Sequence, residues 1–303
     1  MYLTPKIRVD QNVLPFEHLN SKTYHLICSP RRCIELVQGI LEKRKALELD
    51  GKFLPGTMER PIFVWEPVPD LCVPSELLNC MEALKFVNVI SPNLDEFAAL
   101  CGVEIDLDQD SGHQILRSKC EELLTLGFGC KPGAVVVRLG ERGCYCAQSA
   151  RHTSFPAFYG FSSKSDNTQI EEVQHESEKR KFESGKVVDP TGGGNAFLGG
   201  FCIGLMTEPH AGRLTDFEVA CMYGSVAASF AIEQVGMPKL SYSERDGREL
   251  WNGESVYDRT SQFEIRLNVL PLTDEQQRNA SLYEPAGDGM NDGKMIREGS
   301  PAA

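Results

Sequence analysis

At 303 residues the chain can bury a substantial core, and its 41% hydrophobic and 24% charged residues are those of an ordinary globular protein. Its formal net charge of −12 argues against non-specific nucleic-acid binding, which needs a cationic surface, but leaves room for a local basic pocket. Eleven scattered cysteines without a C-x-x-C pair, no signal-like start and no apolar run fit to span a bilayer lead to an expected cytoplasmic location with no membrane partner.

The elements alternate in chain order. "YHLIC" (24–28) and "PIFVWEP" (61–67) read as buried strands, with the helical pattern "CIELVQGILEKRKALEL" between them. "FVNVIS" (86–91) reads as a strand followed by a helix from about Asn93 to Cys101. "HQILRSKCEELLTLGF" (113–128) reads as an amphipathic helix, and "AVVVRLG" (134–140) as a fully buried strand. Cys144 and Cys146, two apart, share one face of the strand that follows; that is packing geometry more readily than a metal clamp. "KVVD" (186–189) is expected as the next strand, with helices near 195–206 and 216–235. Apolar strands separated by helices predict a mostly parallel sheet covered on both faces. Residues 161–185 are too polar to bury and are expected as a solvated insertion within a domain spanning 1–271; 272–303 is expected as a disordered tail.

Ligands of parallel sheets gather at the carboxyl ends of the strands, and four loops there carry unusual residues. In "DPTGGGNAFLGG", Gly192, Gly193 and Gly194 let backbone N–H groups approach an anion, and the following helix adds donors and partial positive charge. The ordinary alternative is a tight connection capped by Asn195. In "SPNLDEFAALCG", Asn93 and Glu96 lie on one side of a first helical turn. They suit water-mediated Mg²⁺ beside a phosphate, and more readily, taken alone, a helix cap. "VRLGERGCYC" places Arg138 before a turn at Gly140 and Gly143, and "FVWEPVPDL" ends a strand at Glu66 without a further signal.

Together these residues resemble the ribokinase/PfkB family of carbohydrate kinases. "DPTGGGN" lies over the family signature D-T-x-G-A-G-D, Asn93–Glu96 over its N-x-x-E motif and Gly140–Gly143 over its nucleotide-site turn. "ICSPRRC" and "WEPVPDLC" look most like a fungal branch, the maintenance-of-killer-like PfkB proteins. The resemblance covers roughly residues 24–240. It implies a ribokinase-like three-layer α/β/α fold, ATP and Mg²⁺ as cofactors, and a sugar-like alcohol as phosphoryl acceptor. By position, Gly192, Gly193, Gly194 and the N–H of residue 195 form the anion hole. Asn93 and Glu96 organise Mg²⁺, and Arg138, Gly140, Gly143, Asp189 and Thr191 line the nucleotide.

Two departures shape the functional expectation. Asn195 stands where the family has the aspartate that takes the acceptor's proton, and loss of such a base typically costs on the order of 10²–10⁴ in rate. The chain also begins about where the family's first strands, sugar contacts and lid should already have passed, so those parts are expected to be missing. The expectation is a PfkB-like kinase of weak or lost activity. Its alternatives are a non-catalytic nucleotide-binding or interaction protein, with a protein partner or homo-oligomer, and a poorly folding fragment. The acceptor cannot be read from these residues.

Overall fold

Among the described residues six strands form one sheet, whose inner strands bury side chains on both faces. In chain order α1 (Phe16–Leu19), β1 (Thr23–Cys28), α2 (Pro30–Leu49), β2 (Ile62–Pro67), α3 (Leu77–Leu84), β3 (Val89–Ile90), α4 (Leu94–Cys101) and α5 (Asp110–Leu126) lead to β4 (Ala134–Arg138), β5 (Cys144–Gln148) and β6 (Arg151–Phe155). Helices α6 (Gly193–Gly204) and α7 (Asp216–Ala231), a small hairpin of β7 (Leu240–Tyr242) and β8 (Glu249–Trp251), and α8 (Val256–Val269) follow. The computed structural model describes residues 9–52, 59–130, 132–159, 186–207 and 214–269, all within one unit spanning 1–269. The polar stretch 161–185 and the tail 272–303 lie outside the described residues.

The strands lie side by side in chain order from β1 to β6. The three pairings from β1 to β4 are parallel, and β4–β5 and β5–β6 are antiparallel. The fold is therefore α/β with a mixed, mostly parallel sheet. On one face Phe63, Trp65, Ile90, Val135 and Val137 meet Val37 and Ile40 of α2, Leu84 of α3, Phe97 of α4 and Leu116 of α5. On the other, Val64, Val89, Val136, Cys144 and Cys146 meet Phe197, Leu198 and Phe201 of α6 and Cys221 of α7. Full burial of each large apolar side chain contributes roughly 1.5–3 kcal/mol, so the double-sided strands dominate the stability. Among the described residues no helix is long and apolar enough to cross a membrane.

Helices α6 and α7 touch closely enough to need small residues at their contact. A Cβ on Gly200 would come within 2.6 Å of the Tyr223 carbonyl, and one on Gly204 within 2.7 Å of the Ala220 Cα. Their spacing of one helical turn makes a flat strip against which α7 lies. Beyond α7, Met222, Val226 and Phe230 pack with Phe158 and with Phe263 of α8 in a third cluster.

The fold corrects several expectations. "KVVD" is not a strand: 187–190 has no regular structure, Val187 and Val188 are exposed, and the amides of Val188 and Asp189 both reach the Ile232 carbonyl. Two valines on solvent have no sheet face to bury, so β-propensity lost to tertiary context. "FVNVIS" shortens to two strand residues because Asn88 and Ser91 are turned to other carbonyls, although their amides still bond Phe63 and Trp65 of β2. Strand β6, the β7–β8 hairpin and helix α8 carry patterns too weak to stand out.

Helix α7 is anchored by a fully buried carboxylate. Glu218 completes a capping box with Thr215, whose amide it accepts at 2.7 Å, and also accepts from Arg151 Nε at 2.7 Å and from the Thr153 hydroxyl. Hydrogen bonds to a buried charge are worth about 1.5–3 kcal/mol each. Arg151→Ala, which removes a partly exposed donor, is expected to lower the unfolding free energy by about 1.5 kcal/mol in urea titrations. Thr215→Ala should cost about 1 kcal/mol as the lost cap.

Candidate active site

The parallel strands β1 to β4 end on one edge, and short-range hydrogen bonds fix the loops that leave it. The buried Ser91 hydroxyl donates to the Val136 carbonyl at 2.8 Å, and the Arg138 amide donates to the Pro92 carbonyl at 3.0 Å, which sets Asn93 beside Arg138. Asn93 then caps α4. Its Oδ1 accepts the Glu96 amide at 2.8 Å while Glu96 Oε2 accepts the Asn93 amide at 2.9 Å, a reciprocal capping box. The ordinary cap and the expected metal residues are thus the same two side chains.

Arg138 is the hub of this edge. Its Nη2 donates to Glu66 Oε1 at 2.6 Å and to the Ser91 carbonyl at 3.1 Å, and lies 3.7 Å from Glu96 Oε2. Its Nε is buried without a partner among the described residues. Glu66, 72 residues away in sequence, reaches back with its second oxygen to His25 Nε2 at 3.1 Å. The two carboxylates respond in opposite directions. Burial pushes Glu66 up, but the His25 hydrogen bond and the Arg138 guanidinium outweigh it and hold the carboxyl below its ordinary range. For Glu96 burial wins over the Asn93 amide and Arg138, and the carboxyl sits above its ordinary range.

The glycine loop closes over this hub. Gly192, at φ +86°, is the N-cap of α6, and its carbonyl accepts the Ala196 amide at 2.9 Å. Asn195 is therefore not the cap; it is the third residue of the helix and is exposed. A left-handed glycine turns the chain into the helix early, which the asparagine alone could not signal. Gly193 donates to the Pro190 carbonyl at 3.1 Å, whereas the amides of Gly194 and Asn195 meet no acceptor among the described residues. Upstream, Asp189 Oδ1 accepts the Thr191 amide at 2.9 Å, which with the Thr191 hydroxyl draws this carboxyl down. A Cβ on Gly194 would fall 2.4 Å from Arg138 Nη1, so the loop rests on the guanidinium.

Gly140 and Gly143 form the β4–β5 turn, both at positive φ, +61° and +91°. The Gly143 carbonyl accepts the Leu139 amide at 2.7 Å, and its Cα faces the Phe155–Ala157 backbone, with a Cβ placed 2.0 Å from the Phe155 carbonyl oxygen. Gly140 faces open space. Gly140→Ala should cost only about 1–2 kcal/mol of backbone strain. Gly143→Ala should cost clearly more, measured as a larger fall in the urea midpoint, because the clash is with backbone that cannot move aside.

These loops bring Asn93, Glu96, Arg138 and Gly194 to one place, at the amino end of a helix. The model of the pfkB family carbohydrate kinases matches residues 66–241, more than half of the chain and every one of those positions. The chain belongs to the pfkB family. An uncharacterised protein of Schizosaccharomyces pombe is 29% identical over 267 residues, covering 86% of this chain and 65% of that protein. Protein MAK32 of Saccharomyces cerevisiae is 27% identical over 293 residues, covering 89% of this chain and 67% of that one. The chain thus spans about two thirds of the length of these two relatives. Ribokinase from Giardia lamblia, with TM-score 0.50 and 19% identity over 81% of this chain and 61% of its own, shares the fold.

Two members of the site were not legible as such. Glu66 was visible only as a carboxylate ending a strand, and nothing local connects it with Arg138. His25 left no signal beyond one polar residue in an apolar strand. As for the family's cofactors, two amides without an acceptor among the described residues and a part-buried guanidinium at a helix amino end suit nucleotide phosphates. Mg²⁺ keeps most of its waters and needs one or two carboxylates beside the phosphates, which Glu96 can supply.

Proposed function

We propose that this pfkB chain binds Mg·ATP at the α6 amino end, and that its phosphoryl transfer to a sugar-like alcohol is weak or lost because residue 195 is asparagine. The observation that carries the reading is the position of Arg138, which touches Gly194, pairs with Glu66 and lies 3.7 Å from Glu96. One cation thereby joins the anion loop and the metal-side carboxylate in a single site.

When bound, Mg·ATP supplies the phosphoryl group and a metal that offsets its charge. The Gly194 and Asn195 amides and the helix end stabilise negative charge on that group, and Arg138 adds a fixed cation beneath the loop. Gly140, Gly143, Asp189 and Thr191 border the nucleotide in this reading, and Glu96 with Asn93 holds the metal's water shell. The acceptor hydroxyl must lose a proton at the mouth of α6, where Asn195 offers an amide that cannot take it usefully. Asp189, the loop's own carboxylate, is turned onto the Thr191 amide instead. That observation favours a second reading, in which the site binds nucleotide without turnover and serves an interaction with a partner chain. Eleven free cysteines support placing either activity in the cytoplasm.

Calorimetry of the intact chain with Mg·ATP tests the site. Binding in the micromolar to millimolar range is expected, lost in Gly193→Asp, which puts a carboxylate in the anion hole. Absence of heat from a chain that unfolds cooperatively overturns the nucleotide reading. Acceptor-dependent ADP release by the native chain separates the two functional readings.

A further inference from the structure

Helix α7 ends with carbonyls that have no further turn to bond, and several segments supply their donors. The Phe230 carbonyl accepts the side-chain amides of Gln234 at 3.0 Å and Asn252 at 3.1 Å. Ile232, the residue that closes the helix, gives its carbonyl to the amides of Val188 at 2.8 Å and Asp189 at 3.2 Å. A Cβ on Gly193 would also fall 2.9 Å from Ile232 Cγ2. The glycine loop therefore rests on Arg138 at one point and on the end of α7 at another.

That end is held by a carboxylate. Glu233, next after Ile232, accepts from Asn252 Nδ2 at 2.6 Å and from the Tyr159 hydroxyl, and it pairs with Arg259 Nη2 at 2.9 Å. Arg259 is 2% exposed, and its Nη1 donates to the Ser229 hydroxyl of α7 at 3.0 Å and its Nε to Glu254 at 3.0 Å. Its guanidinium carbon stands 3.6 Å from the centre of the Phe230 ring. Asn252, just after β8, is the one non-glycine residue at positive φ among the described residues, at +53°. Its Oδ1 accepts the Lys239 amide at 2.8 Å, and its own amide donates to the Lys239 carbonyl at 2.8 Å. A left-handed asparagine carries backbone strain that its surroundings must over-determine. Here those bonds aim its side chain at Phe230 and Glu233, on either side of Ile232.

We propose that Glu233 is a positioning residue for the glycine loop. With Arg259 and Asn252 it fixes the end of α7, so that the Ile232 carbonyl and side chain hold residues 188–193 in the shape that presents their amides to an anion. None of these side chains has to touch a ligand. The β7–β8 hairpin and α8 become part of the site through α7, because Asn252 and Arg259 come from them. The effect of Glu233 on the loop stands by itself, whereas its effect on affinity rests on the Mg·ATP reading above.

Hydrogen exchange by mass spectrometry on the full chain tests the loop, and calorimetry with Mg·ATP tests the affinity. Asn252→Gly removes the side-chain bonds and relieves the left-handed strain, so the chain should keep its urea midpoint. The peptide covering 186–193 should nevertheless exchange about 5–30-fold faster, the factor that one lost anchor supplies, with the rest of α6 unchanged. Glu233→Ala should act on the same peptide more strongly. Mg·ATP should bind both variants about 5–150-fold more weakly and, by reciprocity, should slow exchange in the hairpin 240–251 of the native chain. A merely structural role would lower the urea midpoint and leave the loop peptide unmoved. Loop exchange unchanged in folded Asn252→Gly overturns the proposal, as does faster loop exchange with undiminished Mg·ATP affinity. Faster loop exchange where the native chain itself binds no Mg·ATP supports the positioning and rejects the nucleotide reading alone. Should Glu233→Ala fail to fold, Asn252→Gly decides.

Discussion

Asn195→Asp is expected to raise ADP release from Mg·ATP by about 10²–10⁴-fold, the range a positioned general base contributes. The side chain is the third residue of α6 and is exposed, so the exchange removes no packing. A carboxylate in the first turn also suits the helix dipole, worth about 0.3–1 kcal/mol, and the variant should be no less stable than the parent chain. The gain is to be read across a panel of sugars and nucleosides, with water as the background acceptor. A Gly193→Asp, Asn195→Asp double variant should lose it again. No gain with any acceptor, in a chain that binds Mg·ATP, would mean that more than the base is lacking and would favour the interaction reading.

Arg138→Leu carries the largest expected effect on stability, a loss of about 3 kcal/mol, since it leaves the part-buried Glu66 without its cation. His25 remains as a neighbour, but the loop also loses the surface on which Gly194 rests. Removing both members, as Arg138→Leu with Glu66→Leu, should recover much of the loss, and a double-mutant cycle in urea measures the coupling. The effect has a pH signature. Glu66 has its folded-state carboxyl held below the ordinary range, so its contribution is full above the ordinary carboxylate range and disappears as pH falls through the folded value. Glu96 is raised and runs the other way, its ionisation costing stability. The gap between native chain and Arg138→Leu should therefore narrow on acidification below about pH 4. A gap that is flat with pH would show that packing of the guanidinium, not its charge, is what counts.

Much of the site was readable because its parts are local. The Asn93–Glu96 capping box spans one helical turn, the Gly140–Gly143 turn a single hairpin, and the three glycines a single loop, so residue type and spacing are enough to mark each. The strands were readable where both faces are buried, as in "FVWEP" and "AVVVR", since continuous apolar runs have few other uses. Sequence pattern failed where burial is decided elsewhere. "KVVD" has the composition of a strand and no sheet to join, and Asn195 looks like a cap until Gly192 turns the chain ahead of it.

By itself the sequence determined the alternation of strands and helices, the anion-ready loop and the absence of a carboxylate at residue 195, because periodicity and residue chemistry are properties of neighbours in the chain. Only the tertiary structure decided that Arg138 pairs with Glu66, that His25 stands behind Glu66, and that the guanidinium lies under Gly194. Those contacts join segments far apart along the chain. Their energies depend on burial and distance, which exist only once the parallel strands have brought their ends to one edge.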